Sequence, residues 1–465
     1  MEVPIIRMMR VLRGLLLLLL SFAILVRPVA AQSVLRDAET EALLNDLSRP
    51  LIVAAGLQPK NVQVVMIADN SINAFVAGGQ IVYIHSGLIT NAENANMVQG
   101  VIAHELGHVT GGHVIRFGEG MKAATGIMLL SLLLGAAAMA AGAGEAGAGL
   151  LSMGQQAALG KFLAFSRVQE SSADAAGVEY LNKGGVSGKG LIAFFKKLQN
   201  QEYRYGYNSK DGYDRTHPLN RERVTRLTDT LQNNAQWNNP TDPALEARFQ
   251  RVKAKLKGYV LDPPDALRAY PETDQTIPGH YARAYAYHRG AYPDKAIQET
   301  EALLKSAPND PYFLELKGQI LLESGKPTEA LPPLREAVQR TAFNPLITSM
   351  FGHALIATED PKHFAEAEQV LRSAIAKDNQ NPFAWYQLGI VYDRKGDRAR
   401  AALATAERYN LEGNPRLAFA NARMAMAGVP RGSSDWVRAQ DIVMVSEPEL
   451  KDFKKKERQQ REQQQ

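Results

Sequence analysis

The chain has 465 residues, 45% of them hydrophobic and 22% charged, with nine His, no Cys and a formal net charge of +5. That length suits two or three domains with cores of their own. The absence of Cys excludes thiol metal ligands, thiol catalysis and a disulfide-stapled scaffold, and the modest charge excludes a nucleic-acid-binding surface.

Residues 1–31 have the layout of a secretory signal. Arg7, Arg10 and Arg13 form a basic start, Gly14–Val26 an apolar stretch, and Val29-Ala30-Ala31 a small-residue end, with cleavage expected after Ala31. Arg27 and Pro28 stop the apolar run short of spanning length, which favours cleavage over an uncleaved anchor. Removing four Arg and one Glu takes the net charge from +5 to +2. The expected compartment is the periplasm of a Gram-negative cell.

Ser33–Gly56 carries leucines at helical spacing and predicts an amphipathic helix. Val62–Ile67, Asn73–Ala77 and Gln80–His85 predict strands, and Asp69-Asn70 and Gly78-Gly79 punctuate them at hairpin spacing. An edge of that sheet beside a cleft offers a place for an extended peptide, and a purely packing role is an equal reading. His85 reads as a strand-end polar residue.

Met97–Phe117 predicts a helix containing His104-Glu105-Leu106-Gly107-His108, the H-E-x-x-H pattern. Residues four apart stand about 40° apart around a helix, so His104 and His108 can reach one metal ion. Glu105, about 100° round from His104, is placed to act as general base on water. A catalytic zinc site needs a third protein ligand and an open fourth position. His113 does not supply it. On a continued helix it lies about 180° from His104, and it reads as structural.

Ala123–Gly144 is uncharged and apolar, and Leu150–Phe165 follows with Gln155 and Gln156 in it. Residues 123–165 predict a hydrophobic hairpin that packs on the protein or rests on a membrane surface. Beyond it, Phe165–Leu181 supplies Glu170 and Asp174, four apart on one helix face. Glu170 would complete a two-His, one-Glu zinc site. Asp174 would accept the free N–H of a ligating His and fix its tautomer.

HELGH, then SRVQESSAD, then THPLNRER together resemble the zinc metallopeptidase family that includes the HtpX-type membrane proteases, and within it the periplasmic BepA-like branch with tetratricopeptide repeats. The resemblance covers roughly residues 33–230. It implies a zincin-like fold with His104, His108 and Glu170 as ligands of one Zn2+, Glu105 as catalytic base and Asp174 as the paired acid. Asn94-Ala95-Asn96 departs from the acidic residues common in relatives. In that family the His of the H-P pattern, His217, lies near the metal, where it stabilises the oxyanion or fills the open position. From the sequence alone His217 is a helix-start residue, and both readings stand. Arg223 has the spacing to pair with a nearby carboxylate.

Residues 234–276, rich in Asn, Pro and Asp around one charged helix at Pro243–Lys257, read as a linker. Pro311, Pro345 and Pro382 each precede a glycine (Gly318, Gly352, Gly389) by seven residues, and the units repeat every 34 and then 37 residues. That pattern predicts a tetratricopeptide-repeat α-solenoid over 277–450, with a degenerate first unit at Ile277–Ser306. Residues 451–465, charged and Gln-rich, read as a disordered tail.

The expected fold class is mainly α with a small β-sheet: a metalloprotease unit at 32–233 followed by the repeats. The expected function is a zinc endopeptidase acting on unfolded or misassembled envelope and outer-membrane proteins, with the repeats reaching an outer-membrane assembly machinery and with peripheral membrane contact. The rival is a periplasmic chaperone or assembly factor that works by repeat-mediated binding.

Overall fold

The computed structural model describes residues 34–140, 144–205, 217–218 and 221–463. The expected leader lies outside them, as does most of the Tyr-, Asp- and Gly-rich loop that precedes His217. The described chain is mostly helical, with one four-stranded sheet.

The chain enters as a short strand, β1 (Val34–Leu35), and α1 then runs Ala38–Ala54 from the Asp37 cap, whose side chain accepts from Thr40 N–H. The expected helix from Ser33 therefore starts late. Val34 and Leu35 pair antiparallel with Ile67 and Met66, so sheet hydrogen bonds take the segment before the helix can.

The strands β2 (Gln63–Ile67), β3 (Ala74–Ala77) and β4 (Ile81–His85) fall in the three expected runs. β3 and β4 form the hairpin, turning through Gly78 and Gly79 at φ 62° and 95°. β2 runs parallel to β4, giving the order β1-β2-β4-β3 with β3 at an edge. Alternation of apolar residues marks strands but does not choose their partners, so this parallel pairing was not legible.

After the short α2 (Ser86–Asn91), α3 (Ala95–Thr110) carries the H-E-x-x-H residues and starts at Asn94, which accepts from Met97 N–H. The helix does not continue to Phe117. It stops at Gly111, Gly112 takes φ 62°, and α4 (His113–Ala140) sets off anew. Helix α5 (Gly144–Lys183) returns along α4, so the expected hairpin of 123–165 is the outer part of two longer helices. Gly107 of α3 sits against Ala173 of α5, where a Cβ would come 2.6 Å from the Ala173 carbonyl oxygen. This close crossing brings the middle of α5 onto the His face of α3.

Leu43, Leu47 and Leu51 of α1, Val98, Val101 and Ile102 of α3, and Leu191, Phe194 and Phe195 of α6 (Lys189–Tyr205) bury one core, closed by α7 (Arg221–Gln232). Phe249, Val252 and Leu256 of α8 (Pro243–Val260) belong to the same core. The expected linker thus contains a helix that packs on the first unit, followed by α9 (Pro263–Ala269). Its three apolar residues recur at helical spacing, a signal masked by the polar composition around them.

Ten further helices, α10 to α19, form five antiparallel pairs: Ile277–Arg289 with Pro293–Ser306, Pro311–Glu323 with Pro327–Arg340, Pro345–Ala357 with Phe364–Lys377, Pro382–Arg394 with Arg398–Leu411, and Pro415–Gly428 with Ser434–Gln463. Asp310, Asn344, Asn381 and Asn414 cap the first helix of their pairs, each followed by Pro at the first helical position. Gly318 and Gly352 meet Leu334 and Leu371 of the second helix, as repeat packing requires. The first, degenerate unit is a complete pair. The last helix is described as far as Gln463.

The two parts are joined by buried charge. Lys255 Nζ of α8 lies 2.5 Å from Asp37 Oδ2 and 3.3 Å from Glu39 Oε2, and Tyr281 of the first repeat donates to Glu39 Oε2 at 2.7 Å. Arg251 binds Glu39 and reaches Asp310 at 2.6 Å. Burial opposes both charges, but Asp37 holds Lys255 well above its ordinary range, and Lys255 holds Asp37 below its own.

Candidate metal centre

The site is built where α3, α5 and the segment leading to α7 meet. The sequence Gln99–Leu106 buries one face of α3 in the core and turns His104, Glu105 and His108 toward α5. All three side chains are buried, as are Glu170, Asp174, His217 and Arg223.

The polar atoms converge on one point. His104 Nε2 is 3.2 Å from His108 Nε2 and 3.4 Å from Glu170 Oε2, and His108 Nε2 is 3.4 Å from Glu170 Oε1. His217 Nδ1 stands 3.2 Å from His104 Nε2 and 3.1 Å from Glu170 Oε1. Donor atoms of His104, His108, Glu170 and His217 all lie within 4.8 Å of one another and can hold a metal ion. Metal–ligand bonds of about 2.0–2.1 Å in a tetrahedron put neighbouring ligand atoms about 3.3–3.4 Å apart, which these separations approach.

The charge fits as well. Three buried carboxylates (Glu105, Glu170, Asp174) face one buried guanidinium, that of Arg223, among the described residues around the cluster. Once the imidazoles give up their protons to bind a metal, two negative charges remain, matching a divalent cation. The donor set, nitrogen and carboxylate oxygen without sulfur, suits zinc.

Around the donors sits a second ring of contacts. Asp174 Oδ1 lies 3.1 Å from His104 Nδ1, on the side of the ring away from the cluster, and so turns Nε2 toward it. Arg223 holds Asp174 in a two-pronged pair, Nε to Oδ2 at 2.6 Å and NH2 to Oδ1 at 2.7 Å. Its third nitrogen reaches Glu170 Oε2 at 2.9 Å and the Pro218 carbonyl at 3.0 Å. One side chain thus ties α7 to Glu170 and Asp174 of α5 and to the backbone next to His217.

Burial opposes ionisation throughout, and specific partners outweigh it. Asp174 and Glu170 hold His104 up at about 9 despite its burial. The neighbouring His217, His104 and His108 hold the Glu170 carboxyl far below the usual carboxylate range. Asp174 is likewise held down by His104 and Arg223. Burial lowers His108.

His113 is the residue whose position the sequence misplaced. Because the helix breaks at Gly111-Gly112, His113 does not face away; its Nδ1 lies 2.9 Å from His108 Nδ1. One of the two nitrogens must carry the proton. If His108 directs Nε2 at the cluster, its Nδ1–H donates to His113, the tautomer-fixing role that Asp174 has for His104. Burial and the neighbouring His108 push His113 down to about 4, so it stays a neutral acceptor. The glycine pair was the available signal. His85 lies apart from the donor cluster, at 2.8 Å from Ser71 Oγ.

Glu105 Oε1 is 3.4 Å from His217 Nε2. His217 therefore bridges the other three donors and Glu105.

Residues 37–231 match the model of peptidase family M48. A putative beta-barrel assembly-enhancing protease of Vibrio cholerae is 26% identical over 391 residues, covering 82% of this chain and 79% of the relative. The beta-barrel assembly-enhancing protease of Escherichia coli K12 is 25% identical over 402 residues, covering 85% and 80%. The metalloprotease LoiP of the same organism is 36% identical over 177 residues, covering 37% of this chain and 64% of the relative.

Proposed function

We propose that this chain, whose residues 37–231 match peptidase family M48, is a periplasmic zinc endopeptidase that cleaves misfolded or misassembled outer-membrane proteins. The convergence of His104, His108, Glu170 and His217 on one point beside Glu105 carries the reading. The similarity to beta-barrel assembly-enhancing proteases over most of the chain supports the substrate class. The layout of residues 1–31 supports export.

In this reading His104, His108 and Glu170 are the metal ligands. Zinc, when bound, polarises the scissile carbonyl and lets water ionise near neutral pH. Glu105 takes the proton from the attacking water and passes it to the leaving amine. Asp174 and His113 hold the two ligand imidazoles in the tautomer that leaves Nε2 free, and Arg223 holds Asp174 and Glu170 in place. His217 closes the site at rest and must withdraw before a peptide reaches Glu105. The edge strand β3 offers backbone groups to an extended substrate.

The repeats support a role in recruiting substrate or an assembly machinery. A purely binding function leaves the buried donor cluster without a purpose. Cleavage of an unfolded outer-membrane protein, abolished by a zinc chelator and restored by zinc, tests the proposal; cleavage unaffected by chelation would refute it.

A further inference from the structure

Helices α4 and α5 project an apolar hairpin that no other described residue covers. His113–Ala136 is long and apolar enough to cross a membrane, and only 6% of its 18-residue apolar window is buried. Leu129, Leu130, Leu132, Leu133 and Leu134 of α4 and Leu150, Met153 and Leu159 of α5 are all exposed. The two arms pack on each other with Ser131 beside Gly154 and Gly135 beside Leu151.

The pattern identifies what the surface meets. Residues 132, 133 and 134 point about 100° apart around the helix, so α4 is apolar on nearly every side not taken by α5. A protein partner needs one stripe, whereas a surrounding apolar solvent solvates the whole circumference. The charges agree. Residues 123–144 and 146–160 contain no Asp, Glu, Lys or Arg. Lys122 and Lys161 end these runs, and the Ser131–Gly154 register puts them at nearly the same height. Arg116 and Arg167 lie further toward the base with Glu119, leaving a cationic collar. From Lys122 to Ala140 the arm is roughly 27 Å long at about 1.5 Å per residue, close to the ~30 Å hydrocarbon thickness of a bilayer. Gln155 and Gln156 give the second arm a polar edge, so the first arm is the principal inserting element.

We propose that the α4–α5 hairpin inserts into a lipid bilayer as far as the Lys122/Lys161 collar, which rests on anionic headgroups. The metal centre then has a fixed height. His113, in contact with His108, is nine residues before Lys122, and Glu170 is nine residues after Lys161. Both arms thus hold the centre about 14 Å from the headgroup layer. This deepens the proposed protease reading: the substrates are unfolded segments lying at the membrane surface, within reach of a site anchored there.

The test separates the two readings. The chain from Gln32 onward, which contains every described residue, is floated with vesicles of phosphatidylethanolamine and phosphatidylglycerol at 3:1. The protein is expected to float, and a Leu130→Asp/Leu133→Asp variant to float at least tenfold less while it still binds zinc and cleaves a soluble unfolded protein. Lys122→Glu/Lys161→Glu is expected to lose the preference for these vesicles over phosphatidylcholine ones. Wild-type protein that stays unbound, or a leucine variant that floats equally well, would overturn the proposal. So would a wild-type dimer in light scattering, without flotation, that the leucine variant dissociates; that result would assign the surface to a second copy of the chain. Loss of cleavage with flotation intact would count against the protease reading alone.

Discussion

His217 Nε2 stands 3.4 Å from Glu105 Oε1 while its Nδ1 stands 3.2 Å from His104 Nε2. A single imidazole thus spans the distance between the proposed base and the proposed ligands. In the proposed reading a peptide reaches Glu105 only once this ring has moved. His217→Ala is expected to raise the rate of cleavage of an unfolded substrate by about tenfold, equivalent to ~1.4 kcal/mol of resting-state stabilisation removed. A fall in rate, measured at saturating zinc, would instead make His217 a participant in the chemistry.

Asp174 stands 3.1 Å from His104 Nδ1 and is gripped by Arg223. Partners of this kind tune metal affinity by roughly 10–100-fold. Asp174→Asn is expected to weaken zinc binding by that factor in a chelator competition. A lower Tm with unchanged zinc affinity would reduce Asp174 to a packing role.

His113 makes the equivalent contact to His108. His113→Ala is expected to raise the zinc Kd by roughly tenfold, with little change in Tm since only one small side chain is lost. Unaltered zinc affinity would restore the purely structural reading that the sequence favours.

Glu315, in the second repeat pair, has Oε2 enclosed without a hydrogen-bond partner. Burial pushes its carboxyl up to about 8 from 4.5, with Asp37 and Glu39 adding to the rise and Lys255 opposing it. Below about 4.5 both folded and unfolded chains hold the proton, so the site costs nothing. As pH rises toward 8 the unfolded chain releases the proton first, and stability falls. Glu315→Gln is therefore expected to stabilise the protein at pH 8.5 by about 1–2 kcal/mol, a few degrees in Tm. The gap should nearly close at pH 5. A gap of the same size at both pH values would show that ionisation of Glu315 is not involved.

What could be read from the sequence follows the range of the interactions. His104, Glu105 and His108 are one turn apart on one helix, and Glu170 and Asp174 repeat that spacing on another, so local periodicity sufficed to nominate them. The pairing of Arg223 with Asp174 was legible only as an available partner. His113 was misplaced because two glycines ended a helix that apolar periodicity would have continued. The parallel β2–β4 pairing and the Asp37–Lys255–Tyr281 junction were out of reach, since each joins residues distant in sequence whose chemistry does not specify a partner. Helix α8 was expected, but its packing on the first unit was masked by its charge: Lys255 and Arg251 are committed to buried or half-buried carboxylates.

The central claim is that Glu105 is the proton-transferring group of a zinc peptidase site and not itself a ligand. Zinc content and cleavage rate measured together on Glu105→Gln test it most directly. The expected result is one zinc per chain with cleavage of an unfolded substrate reduced by about 10²–10⁴-fold, the usual contribution of a positioned base. Undiminished cleavage by the zinc-loaded variant would contradict the account.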